Sequence, residues 1–283
     1  MVFEPWFYIF SALILGLIIG SFLNVVIYRL PIMMERNWQT EARQALQLPV
    51  EPLPRFNLCF PASSCPHCQH KIRVWQNIPL ISYLILRGRC AQCSTKISPR
   101  YFCVELLTGL AYAAIVWRYG VTPVALGGLV LTTMLIALCF IDADTQLLPD
   151  QLTLPLVWMG LLFNLYSGFI TPAAAIWGAV LGYLSLWSIF WLFKLLTGKD
   201  GMGYGDFKLL AALGAWMGAS TLPVIVLIAA LVGIIASIIL KVARSQPMAF
   251  GPALVIAGWI VWIADSEINL MIQWWLQQSG LQA

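Results

Sequence analysis

The stretch PVALGGLVLTTMLIALCFI, at residues 123–141, decides the fold, and Asp142 follows it directly. The stretch holds no charged residue, and it has about the length that an α-helix needs to cross the ~30 Å hydrocarbon core of a bilayer. A carboxylate at the edge of such a segment is costly, so it is a candidate functional residue by default. The stretch therefore predicts a membrane helix that ends at a functional aspartate.

Other apolar segments of the chain resemble this one. The whole sequence is 60% hydrophobic and only 10% charged, with a mean hydropathy of +0.84, whereas soluble domains carry about 25% charged residues. One segment is short and crosses only if the bilayer thins or the helix begins below the surface. We predict an all-α polytopic membrane protein with about eight transmembrane helices. The further spans are Trp6–Tyr28, Tyr101–Trp117, Leu152–Tyr166, Pro172–Leu196, the short Phe207–Gly218, Leu222–Lys241 and Pro252–Trp275.

The basic residues predict the orientation. Ten of the 16 lie between Arg29 and Arg100. With the N-terminus outside and eight spans, 15 of the 16 fall on the cytoplasmic side, as the positive-inside rule requires, and only Arg118 does not. The first span follows Glu4 rather than a basic region, so we expect an anchor and not a signal peptide. The net charge of +4 reflects this asymmetry, and we expect no nucleic-acid partner.

A long hydrophilic segment divides the chain into three predicted parts. These are a first transmembrane helix at residues 1–28, a cytoplasmic insert at 29–100 and a seven-helix membrane bundle at 101–283. We expect the insert to be partly helical at 33–54 and irregular afterwards. Within the bundle, the loop at 197–205 contains four glycines, so its backbone can approach another chain closely.

Two C-x-x-C pairs in the insert predict a structural zinc site. The pairs are separated by 21 residues, close to the spacing of known four-cysteine zinc sites. Disulfides or a redox pair are the alternatives, and the predicted cytoplasmic location disfavours disulfides. Four thiolates leave no open position for catalysis, and we take His67 and His70 as surface residues. The predicted ligands are Cys65, Cys68, Cys90 and Cys93.

The two strongest candidates for catalysis are Asp142 and Asp206. Asp142 is attached directly to its span, and Asp206 ends the motif Gly203-Tyr204-Gly205-Asp206. In the predicted topology both lie at the cytoplasmic face. For Asp206 the alternative is a helix N-cap, since helix starts favour aspartate. Asp144 either is solvated at the interface or supports the site.

Residues close to these aspartates have simpler interpretations. Gly203 and Gly205 remove side-chain bulk, so an extended peptide would have room beside Asp206. Lys208 lies on another face of the helix from Asp206, and we expect it to extend to the interface. Asp150 follows Pro149 and is expected to be the N-cap of the next helix.

A close pair of aspartates can perform acid–base hydrolysis. Two carboxylates a few ångströms apart cannot both ionise cheaply, so they share one proton. The ionised partner then activates water, while the protonated partner polarises a carbonyl group. Histidine-based nucleophilic catalysis is not expected, because the only histidines, His67 and His70, lie among the cysteines.

Several segments from the first predicted helix to the short one form a distinctive combination. They are GSFLNVVIYRLP at 20–31, the paired C-x-x-C motifs with NIP at 77–79, ELLTG at 105–109, FIDAD at 140–144, LPD at 148–150 and GMGYGDFKL at 201–209. In these segments the chain resembles the bacterial type IV prepilin leader peptidases, and its G-x-G-D element is similar to that of the presenilin and signal peptide peptidase families. By this resemblance Asp142 and Asp206 are the catalytic aspartates, and Asp144 is accessory.

The same resemblance implies two activities in a bacterial cytoplasmic membrane. It implies cleavage of the basic leader peptide of type IV prepilins and type II secretion pseudopilins, and methylation of the new N-terminus by S-adenosylmethionine. The insert is implied to contribute to methylation. No glycine-rich Rossmann motif for the methyl donor is present. Glu105 is a candidate participant, or else a carboxylate at the membrane interface.

Two other functions use the same aspartates. A membrane phosphotransferase would hold Mg²⁺ and phosphate with cytoplasmic carboxylates and would lose activity on chelation. An ion or proton transporter would place its aspartates near the bilayer midplane, whereas these two are predicted at one face.

Overall fold

The computed structural model describes residues 4–50, 54–199, 201–240 and 249–279. In these ranges the protein is helical, and the only β-pairing consists of two isolated bridges in the insert. The predicted all-α class is thus confirmed for the part of the chain that the structure describes. The α-helices there are α1 Pro5–Ala45, α2 Ile81–Ile85, α3 Pro99–Tyr119, α4 Pro123–Thr145, α5 Asp150–Ser167, α6 Pro172–Thr197, α7 Tyr204–Met217, α8 Leu222–Ile239, α9 Gly251–Ile263 and α10 Asp265–Ser279.

The predicted count of eight transmembrane helices is not confirmed. By length and composition, five helices among the described residues are able to cross a membrane, or six if the bent pair α9–α10 counts as one span. The predicted spans Leu152–Tyr166 and Phe207–Gly218 correspond to α5 and α7, which are not among them. The five are Pro5–Ala45, Pro99–Tyr119, Pro123–Thr145, Pro172–Thr197 and Ala219–Ile239.

The last predicted span, Pro252–Trp275, is not one straight helix. α9 and α10 meet at an angle of 88° near Ala264. Asp265 and Glu267 stand in the first turn of α10, where the helix dipole favours acidic residues, so a new helix starts there. Lys241, the predicted end of the preceding span, and Arg244, which entered the charge count, lie outside the described residues.

The first compact unit, residues 1–121, is built on α1 and α3. α1 continues to Ala45, far beyond the predicted membrane boundary at Tyr28, and confirms the partly helical start of the insert. The two helices approach closely at Gly20, where an added β-carbon would lie 2.8 Å from the Cα of Glu105. Small residues permit such packing between membrane helices. α3 therefore packs within this unit, although the sequence grouped it with the bundle at 101–283.

The second compact unit, residues 122–283, surrounds α7. α7 packs against α5, α6 and α9, and every residue from Leu209 to Met217 is buried. Gly178 of α6 and Gly214 of α7 touch backbone to backbone. At about 1.5 Å per residue, a 14-residue helix is only ~21 Å long. Other helices cover it, so α7 needs no lipid-facing length of its own.

Buried polar contacts fix the far end of α7. The amide of Asn164 in α5 donates to the carbonyl oxygens of Ala215 and Trp216 at 2.9 and 3.1 Å. The indole N–H of Trp216 donates to the carbonyl oxygen of Leu156 at 2.9 Å. Each bond satisfies a polar group that would be costly to bury alone. These bonds hold α7 in place, and with it Asp206 at its N-terminal end.

Candidate active site and metal centre

Asp142 stands near the C-terminal end of α4, at the boundary between buried and exposed residues. Its side chain is 5% exposed, whereas Ala143 and Asp144 are exposed. The helix ends just beyond it, at Gln146, whose N–H donates to the carbonyl oxygen of Asp142 at 2.9 Å. The carboxylate accepts a hydrogen bond from the backbone N–H of Gly251, in the first turn of α9. Its Oδ2 atom is buried and has no hydrogen-bonding partner among the residues that the structure describes.

Asp206 is the third residue of α7 and is 7% exposed. Gly203 occupies the N-cap position, and its backbone N–H donates to the Asp206 carboxylate. The backbone N–H of Asp206 donates in return to the carbonyl oxygen of Gly203 at 3.2 Å. Asp206 therefore contributes to capping from inside the helix rather than as the N-cap itself. An exposed carboxylate would cap equally well, so its burial has to be explained by something else.

The structure brings the two aspartates together around one leucine. Gly251, which contacts the Asp142 carboxylate, and Gly205, which precedes Asp206, both pack on Leu148 in the loop after α4. A β-carbon added at Gly205 would lie 2.7 Å from Cβ of Leu148, and one added at Gly251 would lie 3.3 Å from its Cδ1. Four chain segments thus converge on one small site.

The two glycines next to Asp206 have different surroundings. Among the residues that the structure describes, a β-carbon at Gly203 would meet one atom within 4 Å, Oδ2 of Asp206 at 4.0 Å. The space beside the carboxylate is therefore open on that side, as the sequence predicted. Gly205 differs from the prediction, because Leu148 fills the space that its missing side chain leaves. Room for a peptide lies along Gly203 and not along Gly205.

The other charged residues lie at the edge of the site. Lys208 Nζ pairs with Oδ1 of Asp150 at 2.6 Å, so Lys208 joins α7 to α5 instead of simply extending to the interface. Pro149 is the N-cap of α5, and Asp150 is the first residue within the helix. The predicted N-cap role of Asp150 is therefore wrong by one position. Asp144 is exposed at the end of α4.

Sequence reasoning missed Gly251 and Leu148. Gly251 touches the Asp142 carboxylate across more than a hundred residues of sequence, which no local motif indicates. The dipeptide Gly251-Pro252 was a usable signal, because proline marks the first turn of a helix and a glycine beside it permits close approach. Leu148 belongs to the LPD element at 148–150, but nothing in that element indicates a contact with Gly205 or Gly251.

The four predicted cysteines form one compact cluster in the first unit. All four Sγ atoms lie within 4.8 Å of one another. Cys65 and Cys93 are 3.8 Å apart at sulfur, and Cys68 and Cys90 are 3.9 Å apart. Tetrahedral zinc with Zn–S distances of about 2.3 Å holds its sulfurs ~3.8 Å apart. The cluster therefore has the donor set and spacing for one tetrahedral ion, and it is not arranged as disulfides, since all four cysteines are free.

The two halves of the cluster share a backbone turn. The N–H of Cys65 donates to the carbonyl oxygen of His70, and that of Cys90 donates to Thr95, both at 2.9 Å. The residue after each second cysteine, Gln69 or Ser94, has φ +57°. Such a turn aims both thiols of a pair at one point.

The thiols of the cluster titrate unequally. Hydrogen bonding with Thr95 lowers the pKa of Cys93 to about 6. A backbone hydrogen bond from His70 lowers the pKa of Cys68, but burial and the neighbouring cysteines outweigh it and raise that pKa to about 11. Four thiols this close together do not all ionise, because the negative charges of their thiolates would repel one another. A bound cation would offset that repulsion and favour the thiolates.

Glu105 holds the backbone of the insert. Its Oε2 accepts a hydrogen bond from the N–H of Leu80 at 2.8 Å, and the carboxylate also bonds to the side chain of Ser21. Leu80 has φ +57°, a left-handed conformation that a branched side chain adopts only when it is held. These contacts favour a structural role for Glu105 over binding of a methyl donor.

Two family models match the chain. The model described as "Bacterial Peptidase A24 N-terminal domain" matches residues 14–119. The model described as "Type IV leader peptidase family" matches residues 129–238. The first contains the cysteine cluster and Glu105, and the second contains Asp142 and Asp206. No solved structure gives a significant match.

Curated relatives align over nearly the whole chain. A protein of Neisseria gonorrhoeae is 55% identical over 267 residues, which is 94% of this chain and 93% of the relative. One of Stutzerimonas stutzeri is 52% identical over 271 residues, 94% of each chain. One of Aeromonas hydrophila is 52% identical over 278 residues, 96% of this chain and 95% of its own length. All three are named prepilin leader peptidase/N-methyltransferase.

Proposed function

The chain belongs to the type IV leader peptidase family, and from that membership we propose that it is a membrane enzyme that cleaves the leader peptide of prepilins and N-methylates the new N-terminus. Relatives that carry both activities in their name match this chain at over 50% identity and over nearly all of its length. The pseudopilins of type II secretion are proposed as substrates of the same kind, since they share a basic leader before an apolar helix.

The observation that carries the proteolytic mechanism is the burial of Asp142 and Asp206 on segments that converge on Leu148. Two such carboxyl groups share one proton at neutral pH. The ionised group takes a proton from water as the water attacks the scissile carbonyl carbon. The protonated group donates a hydrogen bond to the carbonyl oxygen, where negative charge develops.

Backbone N–H groups hold both carboxyl groups in position. Gly251 donates to Asp142 and Gly203 donates to Asp206, so each carboxyl group has one fixed donor and keeps other lone pairs for the reaction. The open space along Gly203 is the proposed path of the substrate backbone, which must be extended to expose a peptide bond. Asp144 and Lys208 are proposed as accessory residues at the rim.

The cysteine cluster is proposed to bind structural zinc. Its sulfur spacing and donor set fit that ion, and the ion would stabilise a segment with little regular secondary structure. Cys65, Cys68, Cys90 and Cys93 would hold it and leave no open position for substrate. We propose that this segment serves methylation, for which S-adenosylmethionine would supply an electrophilic methyl group.

The proposed setting is the bacterial cytoplasmic membrane, with the N-terminus periplasmic and the aspartates at the cytoplasmic boundary. The distribution of Lys and Arg supports this orientation when α5 and α7 also cross the membrane inside the bundle, as in the eight-span prediction. Asp142 lies near the C-terminal end of α4 and Asp206 in the first turn of α7. Both positions are helix ends, as expected for residues at a membrane boundary.

The direct test uses Asp142→Asn and Asp206→Asn in the purified full chain, with Asp144→Asn as the matched control. A prepilin is incubated with each variant, and its cleavage is followed by mass spectrometry in EDTA. We expect the first two to lose roughly 10²–10⁴-fold in rate, and the control to lose far less. Full cleavage by either dyad variant would contradict the mechanism. Loss of wild-type activity in EDTA, restored by Mg²⁺ alone, would favour a metal-dependent reaction instead.

A further inference from the structure

Six large apolar side chains between residues 72 and 85 of the insert are exposed. The exposed fractions run from 41% at Ile72 to 67% at Ile85. Ile72 and Ile78 line one cleft, and Ile81, Leu84 and Ile85 share one face of α2, so the exposure is clustered as at an interaction site. Its members are Ile72, Trp75, Ile78, Ile81, Leu84 and Ile85, and we call it the apolar ridge.

The ridge lies beside a membrane helix and not beyond its end. Glu105, which holds the N–H of Leu80 at 2.8 Å, is inside the candidate span Pro99–Tyr119. The ring of Tyr83 packs on that of Phe102 in the same helix, with ring centroids 5.4 Å apart. Both contacts bring the segment alongside the first turns of α3, and so to the depth of the bilayer boundary.

A cleft of about 510 Å³ separates the ridge from α1. Ile18 forms its wall on α1. That side chain is 55% exposed and lies in the middle of the predicted span Trp6–Tyr28, among other exposed apolar residues such as Leu15 and Phe22. The cleft therefore continues the surface of α1 that faces lipid. Its other lining residues are Ser63, Ile72, Arg73, Asn77, Ile78 and Pro79.

Arginines bracket the ridge in the sequence. Arg73 and Arg87 flank residues 74–86, which carry no charge and contain every member of the ridge except Ile72. Arg73 lies at the cleft itself. Apolar residues flanked by arginine are typical of segments that lie in the membrane interface, where the arginines reach anionic headgroups.

We propose that residues 74–86 enter the bilayer beside α1 and α3, with phospholipid acyl chains against the apolar ridge and in the cleft, and with lipid phosphate at Arg73 and Arg87. This element would hold the cysteine cluster at the membrane surface. The continuity of the cleft with the lipid-facing surface of α1 selects lipid as the occupant. The proposal does not depend on the proposed enzymatic activities.

Photo-crosslinking of the full chain in nanodiscs tests this. The photoreactive residue p-benzoylphenylalanine replaces Leu84, or separately Ile85, and replaces exposed Gln92 in the second cysteine pair as the control. The nanodiscs contain phosphatidylethanolamine and phosphatidylglycerol. After irradiation, mass spectrometry identifies adducts on the labelled peptide. Bound zinc is measured for each variant, to show that the insert is folded.

We expect phospholipid adducts at position 84 or 85 to exceed those at 92 several-fold. Arg87→Gln should lower the share of phosphatidylglycerol among these adducts. Equal lipid labelling at all three positions would overturn the proposal. So would adducts from 84 and 85 that join another segment of this chain, because protein would then cover the ridge. If the variant labelled at Leu84 or the one labelled at Ile85 lacks zinc, the lipid adducts of the other variant are compared with those at Gln92.

Discussion

Gly251 lies so close to Asp142 that a β-carbon on Gly251 would come within 2.5 Å of Oδ2 and 3.0 Å of the carboxyl carbon. The first turn of α9 is thereby pressed against the end of α4. This contact sets the position of one carboxyl group of the proposed pair, and the backbone N–H of Gly251 makes a hydrogen bond to it.

Gly251→Ala should therefore damage cleavage more than folding. The added methyl group must push the Asp142 carboxylate away from its place, and a displacement of about 1 Å lowers the rate of a well-aligned reaction by roughly 10²-fold. Single-turnover cleavage of a prepilin measures this effect. Ala253→Gly, two residues on in the same helix, is the matched control for a small change in α9. A Gly251→Ala enzyme with the wild-type rate would show that Asp142 is not held by this contact.

Gly203→Ala and Gly205→Ala should fail in different ways. A methyl group at Gly203 projects into open space beside Asp206, so we expect normal thermal stability and slower cleavage with a higher KM. At Gly205 it would stand 2.7 Å from Cβ of Leu148, and such overpacking costs about 1–3 kcal/mol of unfolding free energy. Thermal unfolding and steady-state kinetics separate the two. An unchanged KM in Gly203→Ala would remove the proposed substrate path.

The Lys208–Asp150 ion pair should contribute little. The two side chains are 26% and 53% exposed, and pairs open to solvent stabilise a protein by about 0.2–1 kcal/mol. A double-mutant cycle with Lys208→Met and Asp150→Asn measures the coupling between them. We expect cleavage to stay within a few-fold of wild type in all three variants. A large loss in Lys208→Met alone would place that ammonium group on the reaction path.

Removal of the metal should separate the two activities. Cys68→Ser and Cys90→Ser each delete one of the four sulfurs, so zinc content should fall in both. We expect methylation of a precursor that has already been cleaved to fall with the zinc, whereas peptide-bond hydrolysis is retained, since Asp142 and Asp206 belong to the second unit. Cys139→Ser is the control, because that cysteine is not part of the cluster. Parallel loss of both activities would contradict this separation.

Glu105→Gln should be far milder than Glu105→Leu. Glutamine keeps an acceptor for the N–H of Leu80, whereas leucine leaves that donor without a partner at a cost of about 1–3 kcal/mol. Zinc affinity and thermal unfolding report the structural effect, and methylation of a cleaved precursor reports the functional one. If the glutamine variant binds zinc normally but no longer methylates, the negative charge itself is needed and the structural role is insufficient.

Much of the secondary structure follows from the sequence because a bilayer demands it locally. Backbone groups in hydrocarbon must be satisfied within the protein, so an uncharged run as long as 123–141 predicts a spanning helix. Asp142 and Asp206 stood out for the same reason, since charges at such boundaries are rare. The resemblance to known peptidases assigned catalytic roles to these two aspartates, but it did not indicate which residues contact them.

Helices whose position depends on packing against other helices are harder to predict from the sequence. α7 is short, yet it is buried because α5, α6 and α9 cover it, and hydropathy does not distinguish protein from lipid as its surroundings. Likewise, the break at Ala264 depends on the polar start of α10, within a stretch whose average character is still apolar.

By itself, the sequence determined the helical class, and it singled out the four clustered cysteines and the two buried aspartates as candidate site residues, because each depends on residue type and short-range spacing. Only the tertiary structure decided that Gly251 and Leu148 complete the aspartate site, that α3 packs with α1, and that Gly203 rather than Gly205 borders open space. Those facts depend on which distant surfaces meet. Which surfaces pack together depends on the fit of their side-chain shapes. A one-dimensional pattern of apolar and polar residues carries no information on that fit.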